Sequence, residues 1–146
     1  MFQKSVFVAL LALAFVAAVP AAFAADQKPI GANEYTISCG GCHGAAGDGK
    51  GDFASMLTVP PADLTALAKK NGGVFPLQQI YDIIDGRRTV RGHGVKDMPI
   101  WGVRYRVDLQ QSMGPIDPAY AQADLELGVQ ARILSLIYYI QTIQKP

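Results

Sequence analysis

Cys39-Gly40-Gly41-Cys42-His43 is the stretch on which the reading of this chain turns. The chain holds two cysteines in 146 residues; both lie here, and a histidine follows at once. A disulfide between such close neighbours closes almost no loop and stabilises little. The spacing fits the CxxCH attachment signal, in which two thiols add across the vinyl groups of a haem and the adjacent imidazole reaches the iron. One motif then consumes both cysteines, which excludes a second covalent haem or a further disulfide. Three other uses of these residues stand beside it. A thioredoxin-type redox pair should follow a strand in a βαβ pattern, whereas the residues before Cys39 are spaced as a helix. A zinc site needs four ligands, and Cys39, Cys42 and His93 supply three, because adjacent Cys42 and His43 cannot serve together without strain. The third is a chance CxxCH in a chain of other function.

Upstream of the motif, residues 1–24 read MFQKSVFVALLALAFVAAVPAAFA, with one Lys at position 4, an uncharged run, Pro20 and a closing Ala-Phe-Ala. That is the layout of a secretory signal peptide, with an uncleaved anchor helix as the alternative. Removing 24 of 146 residues leaves a domain of 122, spanning 25–146, with 12 Lys and Arg against 12 Asp and Glu. One neutral, exported domain with a modest core is expected, placed in the periplasm and meeting a membrane only if the leader is retained. The formal charge of +1 for the whole chain lacks the basic excess that neutralises phosphates, so nucleic-acid binding is excluded.

A haem with both axial positions filled needs a second ligand. Met98, Met113, His93 and Met56 are the candidates. Met98 sits in Asp97-Met98-Pro99-Ile100-Trp101-Gly102, where Pro99 holds the backbone extended and Trp101 can wall off solvent. Met113, in Ser112-Met113-Gly114-Pro115, is the runner-up. Met56 stands thirteen residues past His43 and reads as core filler. His93, five residues from Met98, reads as a contact to the haem propionates or to a ligand rather than as a ligand itself.

With these residues in place the chain resembles the class I cytochrome c family, in its bacterial periplasmic form. The resemblance runs over nearly all of 25–146: a first helix with Gly31, Tyr35 and Cys39 at four-residue steps, CxxCH, a Gly-rich stretch 44–51, a Pro-containing loop, the Met-Pro segment and a closing helix with Leu136-Ile137-Tyr138-Tyr139-Ile140. It implies an all-α fold of several helices wrapped around one haem c, attached through Cys39 and Cys42 and ligated by His43 and Met98. It further implies that Gly31 and Tyr35 pack against Leu136 and Tyr139, and that a proline carbonyl, from Pro60 or Pro61, orients the His43 ring. A stretch of about sixteen residues between Trp101 and the last helix, 102–117, departs from the compact members and is expected to be a long loop.

Periodicity supports helices independently. Leu77, Ile80, Tyr81 and Ile84 recur at i, i+3, i+4, i+7 between Pro76 and Gly86. Asp117-Pro118 reads as an N-cap and first turn, and Leu125, Val129, Ile133, Leu136, Ile137 and Ile140 mark the buried stripe of a long final helix. A shorter helix is expected over 63–70, ending at Asn71-Gly72. Gly47-Asp48-Gly49-Lys50-Gly51 lacks the spacing and the preceding strand of a phosphate loop, and reads as the turn clearing the haem edge.

A haem held by His and Met leaves no position for substrate, so electron transfer through the exposed haem edge is expected rather than catalysis. A haem-bearing subunit of a periplasmic dehydrogenase is one alternative. A peroxidase or gas-binding protein with a labile Met98 is the other. Between Arg87 and Arg106 stand Arg87, Arg88, Arg91, Lys96, Arg104 and Arg106 against Asp97. Arg87 and Arg88 are candidates for haem propionates, and the cluster as a whole for steering a redox partner with an acidic docking surface.

Overall fold

The computed structural model describes residues 28–88, 98–112, 114 and 118–146. The leader, His93, Met113 and Asp117 therefore lie outside the described residues, as do Arg91, Lys96 and Asp97. Among the described residues there are helices and no strands: α1 (Ala32–Ser38), α2 (Gly40–His43), α3 (Leu67–Lys70), α4 (Leu77–Asp85), α5 (Trp101–Ser112) and α6 (Pro118–Thr142). Single 3-10 turns at Ala54–Met56 and Leu64–Ala66 complete the list. The all-α expectation holds. No described helix is long and apolar enough to cross a membrane.

α6 is the spine. Val129, Ile133, Leu136, Ile137 and Ile140 are buried along one face, each step set by the 3.6-residue period, and Leu125 extends the same stripe. Burial of each such side chain is worth about 1.5–3 kcal/mol, so this face is the chief source of cohesion. α1 crosses it closely because Gly31 has no side chain: a Cβ there would fall on the Ser135 carbonyl. Four residues on, the Tyr35 ring meets Tyr139 with centroids 4.9 Å apart, and its hydroxyl donates to the Gly44 carbonyl at 2.7 Å. The expected pairing of Gly31 and Tyr35 with the last helix is thus present.

α4 runs from Pro76 to a left-handed Gly86 and buries Ile80 and Ile84, as its periodicity requires. The 63–70 segment begins on Asp63, whose carboxylate accepts from the Thr65 amide at 2.9 Å, and proceeds as a 3-10 turn into α3. Gln144, past the end of α6, grips it: the Ala68 amide donates to the Gln144 side chain at 2.9 Å, and Gln144 donates to the Leu64 carbonyl at 2.7 Å.

One expectation fails. Most of the stretch 102–117 is not a loop, since α5 occupies Trp101–Ser112. Its apolar residues are few, yet Trp101, Tyr105 and Leu109 recur every fourth position, and its prolines fall beyond the helix at 115 and 118. Gly102 lets α5 start against Asp85 at the end of α4, and Gly128 of α6 accommodates Leu109.

Candidate functional site

The break between α1 and α2 falls on Cys39, which closes one helix and opens the next. A single turn then brings Cys39, Cys42 and His43 together, with the His43 amide on the Cys39 carbonyl at 2.9 Å. Cys39 and His43 are buried and Cys42 half-buried. The glycine-rich stretch folds back on this turn. Amides of Gly49, Gly51 and Phe53 donate to the carbonyls of His43, Cys42 and Gly41 at 2.9, 3.0 and 2.9 Å. Those amides complete the end of a helix, so they make no cradle for a phosphate. Gly51 is obligatory here, because a Cβ would strike the Gly41 and Cys42 carbonyls.

The His43 ring is held from the other side. Its Nδ1 lies 2.9 Å from the carbonyl oxygen of Ala62. A carbonyl only accepts, so Nδ1 carries the proton and the ring lone pair is on Nε2, the tautomer a metal ligand requires. The expectation that Pro60 or Pro61 supplies this carbonyl is corrected. The stiff Pro60-Pro61 pair carries the chain past the ring, and the first carbonyl to face it belongs to the next residue. Pro60 is exposed. Nothing in an alanine announces such a role; the only cue was the Asp63 cap, which fixes the residue before it as the end of the extended run.

His43 opens onto a cavity of about 220 Å³ whose wall is largely aliphatic: Leu64, Leu67, Ile80, Ile83, Ile84 and Ile140, with Cys39, Ala62 and Met98. A smaller adjoining space of about 40 Å³ shares Cys39, His43 and Met98 and adds Cys42, Pro61, Pro99 and Trp101, with Ser38, Leu57 and Val59. The structure therefore gathers Cys39, Cys42, His43, Pro61, Met98 and Trp101 around one apolar space. Trp101 is backed by Tyr105 at 5.7 Å between centroids and covered by the Arg104 guanidinium at 5.5 Å.

Other candidates are elsewhere. Met56 is 78% exposed and lines neither space, so it is neither core filler nor a ligand candidate. It sits on a short 3-10 turn that presents it outward. Arg87 and Arg88 are also exposed and away from the cavity. Arg87 follows the α4 cap, where its guanidinium pairs with Asp85, reaches Glu126 at 3.8 Å and lies over the Tyr81 ring. Arg106 pairs with Glu126 as well. Two members of the basic cluster are thus paired with carboxylates, Arg87 with its near neighbour Asp85 and Arg106 with Glu126, twenty residues on.

Burial pushes the Cys39 thiol up to about 12, with Glu34 and Cys42 adding to the effect. A thiol so weakly acidic is a poor nucleophile at neutral pH, which counts against a dithiol redox centre. Burial also lowers the His43 pKa, more than the Ala62 hydrogen bond raises it, and so favours the neutral ring. Among the described residues no group of three or more His, Cys, Asp or Glu side chains could hold a metal ion, and His93 of the zinc alternative lies outside them. The donors present are instead one imidazole and one thioether facing an apolar space with two thiols on its wall, a set that fits an iron porphyrin attached through sulfur. No protein family, curated protein or solved structure matches this chain.

Proposed function

We propose that this chain is a c-type cytochrome of the class I kind, carrying one haem c through thioether bonds to Cys39 and Cys42, with His43 and Met98 as axial ligands. The observation that carries this reading is the convergence of Cys39, His43 and Met98 on the same aliphatic cavity, with His43 Nδ1 engaged by Ala62. The haem supplies one-electron redox chemistry when bound. The chain does the rest. Ala62 fixes the His43 ring and its tautomer, Met98 supplies a soft sulfur donor that favours the reduced metal, and the aliphatic wall keeps water out. With both axial ligands from the protein, no position remains for substrate, so the activity is electron transfer and not catalysis.

Residues 1–24 direct export, and the periplasm is the proposed compartment. The partners are redox proteins, a donor and an acceptor. Arg88 and Arg104 have no carboxylate partner among the described residues, and they are the described remnant of the basic cluster that would meet an acidic surface.

Mass spectrometry of the exported protein, made in a host with working haem-attachment machinery, tests the proposal. The expected mass is that of the chain from Ala25 plus one haem. A bare polypeptide mass would overturn it.

A further inference from the structure

We propose that Arg132 is a positioning residue: from α6 it clamps α5 so that Trp101 and Met98 stay against the cavity. The statement about Met98 as a ligand rests on the haem reading, whereas the statement about Trp101 stands without it. Arg132 ties three helices together. Its Nε and Nη2 donate to the two Glu34 oxygens of α1 at 3.2 and 3.1 Å, and its Nη1 reaches Asp108 of α5 at 3.4 Å. The guanidinium also lies 3.9 Å from the centroid of the Tyr105 ring, a distance at which a cation is held by the ring face.

Tyr105 passes this hold on to the cavity wall. It is fully buried, its hydroxyl donates to Ser38 Oγ at 3.2 Å, and Ser38 in turn donates to Glu34 at 2.7 Å. One helical turn before it, Trp101 rests on the same ring and lines the smaller adjoining space beside Met98 and Ser38. Besides Arg132, α5 is held by the Arg106–Glu126 pair, by Leu109 packed at Gly128 and by the approach of Gly102 to Asp85. Gly102 and Tyr105 are its buried residues, while Val103 and Val107 face outward at 58% and 44% exposure. A helix with so thin an apolar face relies on polar contacts for its register. Met98 is joined to its start by Pro99 and Ile100 alone, so the register of α5 sets where the thioether lies.

The full chain, produced with haem-attachment machinery, is compared as wild type, Arg132→Leu, Arg132→Lys and Gly73→Ala. Trp101 is the single tryptophan, so emission reports this wall alone. A haem in the cavity quenches it. In Arg132→Leu emission should rise severalfold, and added imidazole should displace Met98 from ferric haem at about tenfold lower concentration, since a loosened ligand competes less well. Arg132→Lys keeps a charge opposite Glu34 but loses the fork and the stacked plane, so it should fall between the two, and it carries the test if the leucine variant does not fold. Gly73→Ala strains an exposed turn that lines neither space and should change neither readout at a comparable loss of melting temperature. Emission and imidazole affinity within about twofold of wild type in the Arg132 variants would overturn the clamp, as would equal changes in Gly73→Ala. If the wild type carries no haem, the functional proposal fails by itself and the clamp is judged by acrylamide quenching of Trp101. Greater quenching in the Arg132 variants supports it, and equal quenching overturns it.

Discussion

Gly31→Ala tests the closest helix crossing in the molecule. Two costs act together. Gly31 has φ +83°, and an alanine forced into the left-handed region costs about 1–2 kcal/mol. Its Cβ would also fall on the Ser135 carbonyl, 2.5 Å from the carbonyl carbon and 3.2 Å from the Leu136 nitrogen. These are backbone atoms of α6 and cannot swing aside, so overpacking adds about 1–3 kcal/mol. The sum is about 2–5 kcal/mol. Gly73 is the reference, with φ +88° and nothing within 4 Å of an added Cβ. Gly73→Ala should show the conformational cost alone, about 1–2 kcal/mol, and both substitutions restrict the unfolded chain equally. At about 4 °C per kcal/mol for a domain of this size, melting followed by circular dichroism should fall by about 8–20 °C for Gly31→Ala and about 4–8 °C for Gly73→Ala. Equal shifts would mean that α1 and α6 are not in backbone contact, and the basis given for their pairing would be wrong.

Met98→Ala should abolish the weak long-wavelength absorption of ferric His/Met haem and lower the reduction potential, while Met113→Ala should leave both nearly unchanged; reversed results would make Met113 the ligand. Arg104→Glu should slow electron transfer to an acidic partner without altering stability, whereas Arg106→Glu should chiefly destabilise by about 1 kcal/mol, because it sets a second carboxylate against Glu126. Chemical denaturation and partner kinetics at two salt concentrations separate these effects. Glu34 is held below the ordinary glutamate range: burial works to raise it, but hydrogen bonds from Arg132 and Ser38 and the Arg132 charge outweigh burial. Its folded pKa being depressed, its contribution is complete above the unfolded value and is lost as pH falls through the folded one. Glu34→Gln should therefore flatten the acid limb of a stability–pH curve, and an unchanged limb would show that the carboxylate's pairing contributes nothing.

The elements with strong apolar periods were legible from sequence. Every residue of the expected α6 stripe is buried, and α4 ends on the glycine that its pattern demanded. α5 escaped because its face is carried by Trp101, Tyr105 and Leu109 among charged neighbours, and because its hold on the fold comes through Arg132 and Glu126, partners remote in sequence. At the site, residues with distinctive chemistry could be named in advance: two thiols, one imidazole, one thioether beside proline and tryptophan. Ala62 could not, since its contribution is a backbone oxygen that any residue possesses. The Arg106–Glu126 pair was equally hidden, its two members lying twenty positions apart.

The burial of Cys39 sets an order of events. Cys39 is 8% exposed, and it belongs to the same core cluster as Val129, Ile133, Leu136, Ile137 and Ile140, so its enclosure is incomplete until the last helix in the chain packs. At ordinary rates of synthesis that helix emerges several seconds after the cysteine, an interval long beside helix formation. During it α1 has no partner, and the thiol faces solvent. Under the proposed haem attachment, chemistry on Cys39 would thus belong to the unfinished chain, and closure of α6 would seal whatever had been attached by then. A variant that hastens that closure would emerge well folded and unmodified, its defect visible in mass rather than in melting.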